Sequence, residues 1–591
     1  MRFFSHRSME TSATHNNVTI SEKQAGEIPD ATAPRGNLRS HAQQDQKLVG
    51  GDLQDGVAKV EAATIIWTKR DLITAYILIW LIYFITSTEE VTVRALTPFV
   101  TSSFGRHSLT ATTTIMSSII AGLSKLPLAK IMDTWGRPQG LALSLALWVL
   151  GFIMMATCRN VETYAAAQVF SVTGAQAVSY CITIFVADTS TLKSRGLMLA
   201  FATSPYIATT WIGGPISDSL LAGPGWRWGF GIWAIITPVV VLPLIFLFLA
   251  NQRRAERAGL LDQRSKRAFS ARGAVDYLIE VDLLGILILA GGMALFLLPL
   301  SLYSYQGREW ESPMIIAMLV VGLVLLATFP LYEKFLAPVK FIPLHLLGDR
   351  TVLLAGIMIF FVFFSSAIWG SYFNSMLVVV WYQSVTQATY ISNIYRVGSC
   401  FSGLVIGALI RWSGRFKWVA TYFALPLMIL GVGLLIHFRL PDQSIGLVIM
   451  TQIFVAFSGG PTVIAAEMAM MAPVGRQYVA VIIAILDLFG SMGTAVGSTV
   501  AAAIWTGDFK NRLGTHIGDP GTVNKVYQSL YTQLAYKMGD PIREGINLAY
   551  GDTQRLMCVA STACLGCAWI ASWFWRDIRI KDISQVKGTV V

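Results

Sequence analysis

The stretch "AKIMDTWGRPQG" (129–140) interrupts a long apolar run with Asp133, Gly136 and Arg137, and "GALIRWSGRFKW" (407–418) does the same with Arg411, Gly414 and Arg415. The two are in register, since 411 minus 133, 414 minus 136 and 415 minus 137 all give 278. A glycine at such a point permits a tight turn between two helices. An arginine beside it can reach a carboxylate, or the carbonyls at a helix end, with a directional fork. Either copy alone reads as a capped hairpin with ordinary loop cations, whereas two copies at one offset indicate an internal duplication. Arg411 replaces the acid in the second copy, so a carboxylate partner there has to come from elsewhere.

Composition sets the class around these turns. The 591 residues are 54% hydrophobic and 13% charged, against about 25% charged for soluble domains, and the mean hydropathy is +0.57. The chain is therefore expected to be an all-α polytopic membrane protein with the lipid bilayer as its surroundings. Apolar runs of about 20 residues predict about fourteen helices, near 72–91, 111–132, 139–157, 163–186, 196–219, 228–249, 281–301, 313–332, 351–372, 386–410, 416–436, 443–470, 478–505 and 554–575.

Lysine and arginine collect on one side of this count, as cytoplasmic loops do. "NQRRAERAGLLDQRSKRAFSARG" carries Arg253, Arg254, Arg257, Arg264, Lys266, Arg267 and Arg272 against Glu256 and Asp262, and Lys69, Arg70, Lys193, Arg195, Arg411, Arg415 and Lys417 fall on the same side. An even helix number then puts both termini in the cytosol. The net charge of +11 reads as a topology signal rather than a nucleic-acid surface. The expected organisation is a disordered cytosolic tail (1–65), a six-helix bundle (66–250), a basic cytosolic loop (251–280), two inserted helices (281–332), a second six-helix bundle (333–575) with an external loop at 506–553, and a cytosolic tail (576–591). The first tail lacks the apolar centre of a signal peptide, and "NVT" at 17–19 would lie on the side away from glycosylation.

Two similar bundles suit a carrier that binds cargo near the bilayer midplane and rocks about it. A contact between Arg137 and an acid, made in one conformation and broken in the other, would bias that equilibrium. Carboxylates inside spans are costly and mark function by default. Glu467 in "IAAEMAMM" and Asp487 in "AILDLFG" are the better proton-coupling candidates, because a carboxyl group in a low-dielectric site gains and loses a proton nearer neutrality. Glu89 and Glu90, at the end of the first predicted span, either share that role or reach the outer interface, and a static pairing of Asp487 with a cation is the alternative for that residue. The region "WGSYFNSMLVVVWYQSVTQATYISNIYRVGS" is dense in aromatic and amide groups, among them Tyr372, Asn374, Tyr390, Asn393, Tyr395 and Arg396. It suits a wide cavity for a large polar ligand, or an aromatic girdle with ordinary packing, while Arg396 could attract an anion. In the external loop, Tyr527 and Tyr531 stand at i, i+4, so a helix there would show both on one face.

Other signals carry no chemistry. "CLGC" (564–567) has no second pair and lies in a predicted span. No G-x-x-x-x-G-K-[ST] loop occurs, and no nucleophile–base or metal-ligand constellation indicates an enzyme, a metal site or a bound cofactor. Gly493 and Gly497 form a small-xxx-small pair that favours close helix approach.

With these residues in place, the chain resembles the major facilitator superfamily, whose signature loop G-x-x-x-D-x-x-G-R is matched by 129–137 with Ala129 in place of the first glycine. "VADTSTLKSRG" (186–196), with Asp188 and Arg195, looks like the corresponding loop after the fourth helix. "SSFGRHSLTATTTIMSSI", "VDLLGILILAGGMALFLLPL", "LYEKFLAPVKFIPLHLL", "AAAIWTGDFKNRL" and "PIREGINLAYGDTQRLM" together resemble the fungal siderophore-iron transporters. The resemblance spans about 65–575 and implies import of ferric hydroxamate siderophores with protons at the plasma membrane or a vesicle membrane. It also implies a gating role for Asp133, Gly136, Arg137, Asp188, Arg195, Gly414 and Arg415, and a capture role for the external loop. Proton-driven export of a toxin, drug or glutathione, and a nutrient receptor on a carrier scaffold, are the alternative functions.

Overall fold

The computed structural model describes residues 67–580 except 111, 135, 259–277, 280–281, 304–305, 339–343 and 475–477, so the first predicted tail, the second beyond 580 and most of the basic loop lie outside the described residues. The described chain is helical. We label the principal helices α1 (Lys69–Ser103), α2 (Thr113–Thr134), α3 (Arg137–Thr157), α4 (Val161–Thr189), α5 (Leu192–Thr203, resuming as Tyr206–Ala222), α6 (Trp226–Arg257), α7 (Leu283–Leu297), α8 (Pro313–Phe335), α9 (Arg350–Gly370), α10 (Val385–Ser413), α11 (Leu425–Phe438, entered through a π turn at Val419–Ala424), α12 (Ile445–Met471), α13 (Val479–Ile504) and α14 (Pro541–Trp573). Eleven helices among the described residues are long and apolar enough to cross a membrane. α2, the broken α5 and the 15-residue α7 complete a pattern compatible with fourteen.

α1–α6 pack mainly with one another, as do α9–α14, and the two groups meet along α2–α13 and α5–α10. These seams match the duplication, because α2 corresponds to α10 and α5 to α13. α7 lies against α2 and α13, where Ile115, Ile119 and Leu123 share a core with Leu289, Met293 and Leu488. α8 is the peripheral helix, with only 11% of its apolar window buried. The small residues close the seams. A Cβ on Gly122 of α2 would lie 2.5 Å from Ser491 Cβ of α13. α5 and α10 touch at both ends, since a Cβ on Gly407 would meet the Gly196 carbonyl at 3.2 Å and one on Gly214 the Thr386 carbonyl at 3.2 Å. Within the second group, Gly493 and Gly497 of α13 abut the Phe360 and Phe364 carbonyls of α9, the close approach their spacing predicts.

Three elements differ from the sequence expectation. α1 continues twelve residues beyond the predicted 91, and its outer half is rich in Thr, Ser and Glu. The threonines return their hydroxyls to carbonyls of the preceding turn, Thr88 to Phe84 and Thr92 to Thr88 at 2.8 Å each, which removes their polar cost inside the bundle. Glu89 and Glu90 are therefore interior residues of a long helix, not its end. α5 breaks at Ser204–Pro205, because proline removes a donor and crowds the preceding turn. The segment 506–553, predicted as the external loop, is mostly helical: α13 runs through a π turn, Trp505–Phe509, into Lys510–Ile517; Pro520–Gln528 and Leu530–Ala535 follow; and α14 starts at Pro541.

Candidate transport site

Two charged pairs cross from the first helical group to the second at different depths. The first is central. Glu90, with about 20 Å of α1 between it and Ser103, accepts from Arg396 of α10 in a bidentate pair, Nη1 to Oε2 at 2.7 Å and Nη2 to Oε1, and from Arg94 Nη2 at 3.1 Å. The fork fixes both distance and orientation. The Arg396 guanidinium also lies 5.0 Å from the Tyr206 ring centre, a cation–π contact on α5. Glu89 is buried next to this pair. Asn393 is buried one turn above Arg396 and donates to the Thr389 carbonyl at 2.8 Å, and the Tyr395 hydroxyl lies against Gly459 of α12. The structure thus joins Glu90 and Arg396, which the sequence assigns to separate roles.

The second pair is nearer the basic end. Lys125 of α2 donates to Asp487 of α13 at 2.8 Å and to Gln176 of α4 at 3.1 Å. Lys125 is 4% exposed and the Asp487 side chain 34%. Asp487 and Glu467 of α12 line one small cavity of about 40 Å³ with Thr183, Met470, Met471, Ile482, Ile483 and Leu486. That is room for about one water, and Tyr83 of α1 faces the same carboxylates. Both intramembrane acids favoured from the sequence are brought together here, with Lys125 as the cation of Asp487. Sequence reasoning missed Lys125 and Arg94; a lone basic residue inside an apolar run was the available signal for Lys125, whereas Arg94 falls beyond the predicted first span.

At the basic end, Arg137 Nη2 and Asp188 Oδ2 are 2.5 Å apart, tying the start of α3 to the end of α4. Gly136 has φ +117° and Gly414 φ +74°, conformations that glycine adopts without steric cost; both copies of the repeat make the turn their spacing predicts. The side chain of Asp133 lies outside the described residues. Arg195 is buried and donates to the Ala187 carbonyl at 2.9 Å and towards Met471 Sδ at 3.9 Å, so it caps α4 while touching α12 across the seam. The carboxylate near Arg415 is Asp577, at 3.6 Å on the surface, where such a pair contributes little.

Tyr372, Asn374, Tyr390, Tyr527 and Tyr531 lie towards the opposite end. Tyr372 stacks on Trp505 at 3.9 Å, and Trp505 on Phe509 at 3.9 Å. Tyr390 packs on Trp211 of α5 at 5.1 Å, and Asn374 sits in the short helix Phe373–Val379. Tyr527 and Tyr531 do not share a face, because Ser529 ends one helix and caps the next with an extended backbone (φ −141°). Tyr527 is buried, while Tyr531 is 47% exposed and lies 5.6 Å from Phe99. Leu530 N donates to Ser102 Oγ at 3.2 Å, so this helical cap touches α1. Arg543, fully buried and unflagged from the sequence, holds the cap to the second group by donating to the carbonyls of Gln533, Tyr536 and Val379. Arg439, also missed, donates to the Trp369 carbonyl at 2.6 Å and Gln554 at 2.8 Å.

His107, buried in the turn after α1, meets Tyr372 edge-on at 6.2 Å. Burial pushes its pKa down from 6.5 to about 4. A depressed base binds more protons when unfolded than when folded, so stability is full above 6.5 and falls as pH drops towards about 4. His107→Gln is expected to flatten the dependence of the thermal unfolding temperature on pH in that window; an unchanged slope would refute it.

The sequence profile of the Major Facilitator Superfamily matches residues 79–498. The chain is 50% identical over 571 residues to MFS siderochrome iron transporter 1 of Ajellomyces capsulatus, covering 96% of each chain. It is 39% identical to MFS siderochrome iron transporter D of Aspergillus fumigatus (95% of this chain, 94% of the relative) and 36% identical to siderophore iron transporter mirB of Emericella nidulans (95% and 94%). Among solved structures, a bacterial homolog of the human lysosomal transporter Spinster, inward-facing and occupied, superposes with a TM-score of 0.51 at 14% identity, over 86% of this chain and 97% of that one. The signature turn, the duplicated seams and end-to-end relatedness agree: this chain belongs to the major facilitator superfamily and, within it, to the fungal MFS siderochrome iron transporters.

Proposed function

We propose that the chain imports ferric hydroxamate siderophores together with protons by alternating access at a fungal plasma membrane, with the basic end and both termini in the cytosol. The siderochrome and siderophore iron transporters to which the chain is similar support the cargo, and the observation that carries the mechanism is the pair of cross-seam charge contacts, Glu90–Arg396 in the middle and Lys125–Asp487 below it. Each has to break for the two halves to part, so each can be biased by what binds there. The iron travels inside its chelator, and the chain's part is to bind, orient and release. Asp487 and Glu467 hold the coupling proton: a proton taken up by Asp487 releases the Lys125 ammonium, and Glu467, on the neighbouring helix and in the same cavity, is the second carboxylate that can take that proton when Asp487 gives it up to re-form the pair. Tyr395, Asn393 and Arg396 form the cargo face, while Tyr372, Asn374, Tyr390, Tyr527 and Tyr531 belong to its outer approach.

Import is tested by accumulation of radiolabelled iron, supplied as a panel of ferric hydroxamates, in siderophore-uptake-deficient yeast with and without a protonophore. Uptake of a chelate that collapses with the protonophore supports the reading; absence of uptake with the protein confirmed at the surface moves it to export. In the gating loops, Arg137→Ala and Asp188→Asn are expected to lower turnover severalfold while equilibrium cargo binding stays intact. The pair lies within one half and far from the cargo face, so an equal loss of binding would refute its assignment to the rocking step.

A further inference from the structure

Arg94 lies about 14 Å of helix short of the end of α1, yet its side chain is 64% accessible. Its Nη2 donates to Glu90, and Arg396 and Tyr395 of α10 are close enough to act on its charge. A guanidinium with that much free surface at that depth would be costly against lipid, which argues for an open space between α1 and α10 on that side. An intramembrane cation of this kind marks a binding site by default. The Glu90 side chain is 39% accessible to the same space and that of Arg396 15%, whereas Glu89 is 6% exposed and turned into packed protein. The groups lining the space are thus two guanidiniums against one carboxylate, a sum of +1.

Glu90 sits where a carboxylate ligand would sit, gripped in a fork by Arg396 and held on its flank by Arg94. We infer that Arg94 and Arg396 form an anion seat in the cargo path, filled by Glu90 when cargo is absent, and that the preferred cargo is a ferric chelate carrying a carboxylate. The inference rests on the reading of the chain as a ferric-chelate carrier and narrows its substrate class. A neutral chelate offers only uncharged acceptors, and bonds to those are about half as strong as charge-assisted ones. Tyr206 keeps Arg396 in position from its other face when Glu90 is displaced.

The test is equilibrium binding to the purified full chain in lipid nanodiscs. Two probes are compared, a linear ferric trihydroxamate with one pendant carboxylate and its methyl ester, which differ in charge and hardly in size. The acid is expected to bind about tenfold tighter or more. Arg94→Gln is expected to remove the difference between the two, and Glu90→Gln, by freeing the seat, to tighten the acid. If Arg94→Gln does not fold, Arg94→Lys is used, and it should leave an intermediate preference because it keeps the charge and loses the planar, directional guanidinium on the flank of the seat. Equal affinities for acid and ester in the wild type, or a preference that survives both Arg94 variants in full, overturn the inference and leave the ferric-chelate reading standing. Binding of neither probe overturns that reading and the inference with it.

Discussion

Lys125→Met and Asp487→Asn, made singly, are each expected to abolish protonophore-sensitive accumulation of cargo while exchange of labelled for unlabelled cargo continues. The expectation follows from where the pair sits. Lys125 is almost wholly buried and its ammonium is shared between Asp487 and Gln176 at 2.8 and 3.1 Å. Removing either partner leaves the other charge poorly compensated in a low-dielectric seam, a loss of roughly 3–5 kcal/mol for a buried pair. The 34% exposure of the Asp487 side chain puts the loss here at the low end of that range or below it. The contact would then no longer respond to a proton, so rocking would go on uncoupled. Lys125→Met with Asp487→Asn leaves no stranded charge, so the double variant should recover the stability lost in the singles without recovering coupling. Glu467→Gln, in the same small cavity, tests whether the second acid shares the proton. Protonophore-sensitive accumulation that persists in all three single variants would remove this cluster as the coupling site.

The fold was legible where hydrophobicity alone decides it and obscure where polarity is turned inward. The duplicated turn announced itself at one offset, and both glycines adopt the positive φ it requires. The outer half of α1 and the start of α14 escaped a search for apolar runs. In both, the polar residues are satisfied inside the protein: the threonines of α1 bond to their own helix, and Gln554 at the head of the predicted fourteenth span receives Arg439. The site was legible as residue types and not as partners. Glu90 and Arg396 were both singled out, yet 306 positions separate them, and no local spacing encodes a contact across a seam. Lys125 is one basic residue in an apolar run and reads as a helix-end charge, and Arg94 lies beyond the apolar run that predicts the first helix, so it reads as a loop charge. Tyr527 and Tyr531 failed for a local reason, since Ser529 is as good a helix cap as it is a helix residue.

The second large effect is expected from a single methyl group. Gly460→Ala should lower the thermal unfolding temperature of the purified chain and reduce its surface expression, at a cost near the upper end of the ~1–3 kcal/mol typical of overpacking. A Cβ at Gly460 of α12 would fall on the Ser399 carbonyl of α10 and lie 3.0 Å from the Gly403 amide nitrogen. These are backbone atoms that no rotamer change can move. α10 and α12 would have to separate, with one turn of helix between Ser399 and Arg396 and two between Gly460 and Glu467. The contact therefore links the packing of the second half to both charged sites, and cargo binding by the folded fraction should weaken as well. Gly433→Ala on α11 is the matched control, because its Cβ would meet only Thr562 Cγ2 at an ordinary 3.7 Å. It should be neutral or stabilising, alanine being the better helix former. Equal tolerance of the two substitutions would mean that α10 and α12 are not held at this distance, and the fixed placement of Arg396 opposite Glu90 would lose its support.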